Sequence, residues 1–181
     1  SCKNAFMKTE YNIIDGLFDE KVFKTWQEEF MNDLPWLYVP KVATIDEIKK
    51  LNSYYFIHMF AIQNVVSRSE SQTLKYPVPN GSTNDEFEIK DRVMPVSDYY
   101  KMVKMIVEHL NPNIMFRIKA NMYPSSSELI HHKNHIDFDF DNKGAIFYVN
   151  TNDGKTVLED GTEIDSVENR MLFFNASRPH H

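Results

Sequence analysis

An amphipathic helix is predicted near the beginning of the chain. Val22, Trp26 and Phe30 recur at intervals of four residues, whereas most of the charged residues between them fall elsewhere around a helix. Asp19 is a good N-cap, because its carboxylate can accept hydrogen bonds from the first amides of a helix. The pattern predicts a helix from Asp19 to about Asn32, with its apolar stripe laid against the rest of the fold.

A second helix is predicted from Ser97, a good N-cap, to Leu110, just before Asn111-Pro112. Its apolar stripe consists of Tyr99, Val103, Ile106, Val107 and Leu110. Between the two helices, the pattern predicts a strand at 36–39, a polar helix at 44–51 and a buried strand at 54–62. Residues 63–95 are rich in turn-forming residues and predict a long loop, either a lid over a site or an excursion without function.

From residue 114 onwards the period changes to two, which is typical of strands. Strands are predicted at 114–123, 129–140, 144–151, 156–157, 161–166 and 170–174. They are short and separated by Asp, Asn or Gly residues, which favours an antiparallel jelly roll or barrel over a parallel sheet of βαβ units. The predicted fold class is therefore α+β, with helices preceding an antiparallel β-roll.

Composition restricts the class of protein. The chain has 181 residues, 42% of them hydrophobic and 25% charged, as is usual for one globular domain with a substantial core. A net charge of −6 without a basic run argues against a dedicated nucleic-acid partner. Cys2 is the single cysteine, so neither an internal disulfide nor a thiolate metal site is expected. The chain has no apolar run of membrane-spanning length and no signal-peptide pattern, and we expect a cytoplasmic protein without a membrane partner.

One short motif indicates metal chemistry. If His135-Ile136-Asp137 lies on a strand, His135 and Asp137 point to the same side, because alternate side chains of a strand share a face. Two histidines and one carboxylate make the facial triad of non-haem Fe(II) oxygenases, and the third ligand is available in His180-His181. A His-x-Asp triplet alone is weak, since 7 histidines and 13 aspartates make one common by chance.

Five motifs in sequence make the second half of the chain resemble the 2-oxoglutarate/Fe(II)-dependent dioxygenases, in their prolyl 4-hydroxylase-like branch. These motifs are Ala120-Asn121-Met122-Tyr123-Pro124, His135-Ile136-Asp137, Ala145-Ile146-Phe147-Tyr148-Val149-Asn150, Gly161-Thr162-Glu163 and Asn169-Arg170-Met171-Leu172-Phe173-Phe174 followed by Pro179-His180. The resemblance covers roughly residues 110–181. It implies a double-stranded β-helix, or jelly roll, with N-terminal helices packed on one sheet.

The resemblance also implies the domain organisation and the ligands. Residues 1–181 would form a single oxygenase domain, with helical support at about 1–112 and the β-roll core at about 113–181. Its metal ligands would be His135, Asp137 and His180, with His181 as the alternative to His180. Neighbouring His131 and His132 match no ligand position and are expected at the surface or beside the ligands.

The co-substrate residues follow from the same resemblance. The Tyr148 hydroxyl would hold the distal carboxylate of 2-oxoglutarate, and Tyr123 would lie near its metal-chelating end. If Tyr123 faces the cavity, Asn121 and Lys119 face it too, and the Lys119 cation would suit a dianionic ligand. Each tyrosine has an alternative, which is a core residue with a satisfied hydroxyl.

The chain departs from the family at its end. The family has an Arg or Lys about ten residues beyond the distal histidine, where it pairs with the distal carboxylate, but this sequence stops at His181. Arg170 lies on the preceding strand and is expected to form a turn contact or an ion pair. We therefore expect a last strand, with this basic residue, to be missing from the sequence.

The resemblance implies hydroxylation of an unactivated C–H bond, on a prolyl residue of a peptide or protein substrate. The implied cofactor is Fe(II), with 2-oxoglutarate and O₂ as co-substrates and ascorbate as a further candidate. One alternative is a non-catalytic, cupin-like β-roll that binds a metal or ligand without turnover. Another is oxidative demethylation of nucleic-acid bases, which the acidic charge balance disfavours.

Overall fold

The computed structural model describes residues 10–40, 54–63, 93–112 and 115–181. They form a mixed α+β structure whose paired strands are antiparallel where their register is resolved. The elements are β1 (Tyr11–Asp15), α1 (Glu20–Asp33), β2 (Leu37–Val39), β3 (Tyr55–Gln63), β4 (Val93–Pro95), α2 (Tyr100–Leu110), β5 (Arg117–Met122), β6 (Lys143–Tyr148), β7 (Lys155–Val157), β8 (Glu163–Asp165) and β9 (Arg170–Asn175). Neither helix in these ranges is long and apolar enough to cross a membrane.

The chain divides into two compact units, one formed by Ser1–Phe56 with Met122–His181 and the other by Ile57–Asn121. We call these the first and the second unit and describe each by itself. The division does not test the prediction of a single domain, which stays a prediction.

A three-stranded sheet in the order β1-β9-β6 is the centre of the first unit. Leu172 of β9 lies opposite Ile13 of β1 and Ile146 of β6, so β9 is paired on both edges. One face of this sheet contributes to a buried apolar cluster formed by Tyr148, Leu158, Ile164, Leu172, Phe174 and Ala176. The adjacent hairpin of β7 and β8 supplies Ile164 to this cluster.

Helix α1 packs on the opposite face of the same sheet, where it contacts the side chain of Phe147. Phe147 follows Ile146 in β6, so it faces away from the buried cluster. Its ring makes edge-to-face contacts with Phe23 and Trp26 of α1, with centroid separations of 6.0 and 5.5 Å. The first unit is therefore layered, with helix, sheet and apolar cluster in that order.

The prediction of α1 is confirmed, with one error in its apolar stripe. Asp19 is the N-cap, and its carboxylate accepts hydrogen bonds from the amides of Lys21 and Val22. The stripe, however, begins at Phe23, which is fully buried, whereas Val22 is 52% exposed. Residues three or four apart both share one face of a helix, so Phe23 and Val22 fit equally well as the position before Trp26. Periodicity alone therefore did not show which of them is buried.

In the second unit, β4 and β5 both pair with β3, and α2 follows β4. The loop predicted at 63–95 is wrong at its end, because residues 93–95 form the strand β4. Residues 64–92 of that loop lie outside the described residues, as does the helix predicted at 44–51. The helix α2 begins later than predicted, because its cap residue is Tyr99 and not Ser97. Ser97 still contacts this end of the helix, since its Oγ accepts from the Tyr99 amide at 3.1 Å and also lies 2.8 Å from Nε2 of the buried His58.

The predicted strand at 129–140 is wrong for most of its length. Only bridge residues occur there, and the remainder is irregular. His135 forms an isolated antiparallel bridge with His180, and Leu158 forms a second bridge with the same residue. The extended segment at His180 therefore lies between His135 and Leu158. These isolated bridges take the place of the regular strand predicted at 129–140.

Candidate metal centre

The structure brings the three predicted metal ligands together. His135, Asp137 and His180 each offer a ligand atom, and these atoms all lie within 4.8 Å of one another. Among the described residues, these three are the group of His, Cys, Asp and Glu side chains that could hold a metal ion. His135 is exposed, Asp137 is half-buried and His180 is only 5% exposed, so the group opens towards solvent on one side.

Main-chain hydrogen bonds hold the two ligand-bearing segments side by side. The amide of His135 donates to the carbonyl of His180 at 2.9 Å, and the amide of His180 donates back at 3.0 Å. Two residues further on, the amide of Asp137 donates to the carbonyl of Ala176 at 2.9 Å. These alternate amides point in the same direction, as they do in a strand, so His135 and Asp137 keep the shared face predicted for them although the segment is irregular.

The geometry of His180 suits a metal ligand. Its Nδ1 lies 2.8 Å from the carbonyl oxygen of Arg178, and because a carbonyl oxygen only accepts, Nδ1 is the protonated nitrogen. In the neutral ring, Nε2 then has the lone pair, as a metal-binding imidazole requires. Nε2 lies 4.0 Å from Oδ2 of Asp137, too far for a hydrogen bond.

The surroundings of the group combine apolar packing with a concentration of imidazoles. The ring of Phe174 meets that of His180 edge-on at 4.8 Å, so the buried cluster reaches the ligand itself. Burial lowers the pKa of His132, and the imidazoles of His181, His135 and His131 lower it further. These effects favour the neutral form of the His132 ring.

Tyr148 lies in the apolar cluster and is 8% exposed. Its hydroxyl makes a hydrogen bond of 2.8 Å with Oγ1 of Thr156. Burial raises the pKa of Tyr148, opposed by this hydrogen bond and by the charge of Arg170, so the phenol is neutral at neutral pH and can donate a hydrogen bond. Both interpretations of Tyr148 from the sequence fit this geometry, since it is a core residue with a satisfied hydroxyl that a ligand could share.

The other predicted co-substrate residues lie in two places. Tyr123 is in the first unit and is 50% exposed, with its ring stacked on Tyr55 at 5.4 Å and near His132 at 5.0 Å. Lys119 and Asn121 are on β5 in the second unit, and both are exposed. Their predicted placement around a co-substrate cavity stays a prediction.

Arg170 forms an ion pair, as expected. Its Nε and Nη2 donate to the two carboxylate oxygens of Asp15 at 2.5 and 3.0 Å, and its Nη1 donates to the carbonyl of Asp165. The guanidinium is thus occupied in joining β1 to β9.

Sequence reasoning missed two residues that contact predicted site residues. Thr156 is a buried residue of β7 that contacts Tyr148 across the cluster, and nothing in the sequence links the two. Asn134 precedes His135, and its Oδ1 lies 2.5 Å from Nδ1 of His181. The signal for Asn134 was only its position beside a ligand.

Comparison with known proteins adds no relative. No protein-family model, no curated protein and no solved structure matches this chain. The resemblance to 2-oxoglutarate oxygenases therefore rests on the sequence motifs and stays a prediction.

Proposed function

We propose that this protein is a 2-oxoglutarate- and Fe(II)-dependent dioxygenase that hydroxylates an unactivated C–H bond, with a prolyl residue of a peptide or protein as the first substrate to test. The observation that supports this best is the meeting of His135, Asp137 and His180, whose ligand atoms lie within 4.8 Å of one another. As part of this proposal, the antiparallel strands belong to a double-stranded β-helix with the metal inside.

The donor set fits Fe(II). Two imidazoles and one carboxylate leave half of an octahedron open, which is the arrangement of non-haem Fe(II) oxygenases. Metal–ligand bonds of about 2.1 Å put neighbouring ligand atoms about 3 Å apart on such an ion. Nε2 of His180 and Oδ2 of Asp137 are 4.0 Å apart, so this pair has to close by about 1 Å.

The hydroxyl pair of Tyr148 and Thr156 is our candidate subsite for the distal carboxylate of 2-oxoglutarate. Each hydroxyl can donate to one carboxylate oxygen, and both are buried, so the hydrogen bonds to a charged acceptor would be strong. Tyr123, which lies near His132, is the candidate contact at the chelating end of the co-substrate. Lys119 and Asn121 remain candidates from the motif alone.

Fe(II) with 2-oxoglutarate would supply the oxidising chemistry, in which O₂, the co-substrate and a substrate C–H yield succinate, CO₂ and a C–OH. The residues of this chain bind, orient and exclude water. Phe174 and the cluster behind it keep solvent from one side of His180, which is 5% exposed. The carbonyl of Arg178 fixes the orientation of the His180 ring by accepting from Nδ1. The exposed side, at His135, is where a substrate would approach.

Succinate formation separates this proposal from a metal-binding β-roll without turnover. Purified protein is incubated with Fe(II), ascorbate, O₂ and 2-oxoglutarate, with and without prolyl peptides, and succinate is quantified. We expect succinate from wild type and its loss in Asp137→Ala. His131→Ala is the matched control, because it removes an exposed imidazole from the same segment without touching the ligand set. Metal binding without any succinate in wild type would favour the binding module instead.

A further inference from the structure

A side-chain hydrogen bond links the two residues that flank the candidate ligands. Asn134 comes directly before His135, and His181 comes directly after His180. Nδ1 of His181 lies 2.5 Å from Oδ1 of Asn134, within hydrogen-bonding distance. Since an amide oxygen only accepts, the imidazole is the donor. We call this pair the Asn134–His181 clasp.

We propose that the Asn134–His181 clasp is a positioning device that holds His135 and His180 at metal-binding distance. This inference rests on the proposed metal centre. It assigns a role to two residues outside the ligand set, and it treats His181 as a positioning residue and not as a ligand.

The antiparallel bridge explains why the clasp and the ligands do not interfere. His135 and His180 exchange both main-chain hydrogen bonds, so they are a directly opposed pair. Asn134 and His181 form the next pair along the same two segments. Neighbouring residues of an extended segment point to opposite sides, so the clasp lies on the side away from the ligand rings.

The other contacts of His181 also keep it in place. Its amide donates to the carbonyl of Val157 at 3.0 Å, and its carbonyl accepts from the Val157 amide at 2.7 Å. The backbone of His181 is therefore fixed to β7, while its side chain reaches Asn134. Through these bonds, the clasp connects the His135 segment to a regular strand.

The clasp matters because the His135 segment has little regular structure of its own. Two main-chain hydrogen bonds join His135 to His180, and an isolated bridge of this kind can open locally. Losing the clasp lets the two imidazoles separate when no metal holds them. Residues that orient metal ligands from outside the coordination sphere are worth about 10- to 100-fold in metal affinity. We expect the lower end of that range here, because the main-chain bonds remain.

Binding of Co²⁺ tests the inference in Asn134→Ala, Asn134→Asp, His181→Ala and the double Ala variant. Lys133→Ala is the matched control, since Lys133 is an exposed neighbour of Asn134 on the same segment. The affinity is measured by calorimetry, and the visible spectrum of bound Co²⁺ reports the ligand geometry. Circular dichroism and an unfolding midpoint verify that each variant folds.

We expect Asn134→Ala and His181→Ala each to weaken Co²⁺ binding about tenfold. The double variant should bind no more weakly than either single variant, because both remove one interaction. Asn134→Asp keeps an acceptor for the imidazole and should bind at least as tightly as wild type. An Asn134→Ala protein that binds Co²⁺ like Lys133→Ala overturns the inference. So does a His181→Ala protein that loses far more affinity than Asn134→Ala, since His181 would then be a ligand.

Amide hydrogen exchange of the metal-free protein separates this inference from the proposed function. We expect the His135 and His180 amides to exchange faster in Asn134→Ala than in Lys133→Ala, because the bridge opens more often. If wild type binds no Co²⁺, the metal proposal fails, and exchange still decides on the clasp. Unchanged exchange at both amides overturns it.

Discussion

At the scale of single residues, the contact between Tyr148 and Thr156 joins packing to the proposed chemistry. Both side chains are buried, and the 2.8 Å hydrogen bond satisfies both hydroxyls within the apolar cluster. A carboxylate that entered between them would replace one neutral hydrogen bond by two charge-assisted ones. The pair therefore has a structural role in the core, and we propose a binding role for it when the co-substrate is present.

The change Tyr148→Phe tests this dual role. It leaves the Thr156 hydroxyl buried without its partner, so we expect a loss of about 1–2 kcal/mol in the free energy of unfolding, measured with denaturant. It should also raise the KM for 2-oxoglutarate about tenfold or more, while Co²⁺ affinity stays unchanged. Thr156→Ser, which keeps the hydroxyl, is the control. Unaltered KM in Tyr148→Phe would remove this subsite from the proposal.

The Asp15–Arg170 ion pair predicts a change of stability with pH. The hydrogen bond from Arg170 lowers the pKa of Asp15, with a smaller contribution from the charge of Arg170. A carboxyl with a lowered folded-state pKa stabilises the fold above its usual value of about 3.9, and this contribution disappears as the pH falls through the lowered value.

Comparison of Asp15→Asn with wild type measures this contribution. Because the Asp15 side chain is 61% exposed, solvent screening limits the effect to about 1 kcal/mol or less at neutral pH. We expect the unfolding free energies of the two proteins to differ at pH 7 and to converge towards pH 2. A constant difference across that range would mean that ionisation of Asp15 is not involved.

At the scale of elements, Asn169 holds the turn between β1 and α1 against the sheet. It has a left-handed backbone with φ of 59° and is buried. Its side chain accepts from the amide of Phe18 and donates to the Phe18 carbonyl, and its own amide donates to the carbonyl of Tyr148. Asn tolerates this backbone conformation and supplies both polar groups.

Two substitutions separate these contributions. Asn169→Gly suits the left-handed backbone conformation but loses the side-chain hydrogen bonds. Asn169→Ala loses the same hydrogen bonds and also strains the backbone. We expect thermal or denaturant unfolding to show a loss of about 1–3 kcal/mol for Gly and a further loss of about 1 kcal/mol for Ala. If Ala were the more stable of the two, the backbone argument would be wrong.

Gly144 allows the segment next to Asp137 to pack closely on β6. A Cβ at this position would lie 2.8 Å from Cβ of Ala176 and 3.0 Å from the Phe174 ring, closer than such atoms pack. The Ala176 carbonyl accepts from the Asp137 amide, so a displaced Ala176 would shift a candidate ligand.

Gly144→Ala should therefore cost about 1–3 kcal/mol of stability and weaken Co²⁺ binding as well. Ala145→Gly is a useful comparison, because it changes the neighbouring, exposed position by one methyl group without a steric demand. Calorimetric titration and denaturant unfolding of both variants provide the measurements. Co²⁺ affinity equal to that of wild type in Gly144→Ala would show that Ala176 does not control Asp137.

Elements were predictable where local signals agreed. Asp19, the aromatic stripe and the charged opposite face all indicated α1, and the alternation at 170–174 indicated β9. The segment at 129–140 was not, because its hydrogen bonds go to the distant segments at 176 and 180 and not to a regular partner strand. At Ser97 the local pattern was right about a contact with the start of the helix, since Oγ accepts from the Tyr99 amide, but it could not reveal the tertiary contact of the same hydroxyl with His58.

At the scale of the whole molecule, the candidate metal ligands were predictable from the sequence, but the residues that contact and orient the predicted site residues were not. His135 and Asp137 stand out by spacing, and His180 by its position after Pro179 in a recognisable motif. Thr156 and Asn134 have no such signal, because their roles arise when β7 and the His181 segment come next to Tyr148 and His135. Motifs identify the chemical groups, and only the fold identifies what orients them.

The account as a whole depends on one iron held by His135, Asp137 and His180. Anaerobic titration of the wild-type protein with Fe(II) and 2-oxoglutarate tests it most directly, because chelation of the co-substrate to a protein-bound Fe(II) gives a visible metal-to-ligand charge-transfer band. We predict that the band saturates at one equivalent of iron in wild type and is absent from folded Asp137→Ala. Absence of the band in folded wild type, or its full retention in Asp137→Ala, would contradict the account.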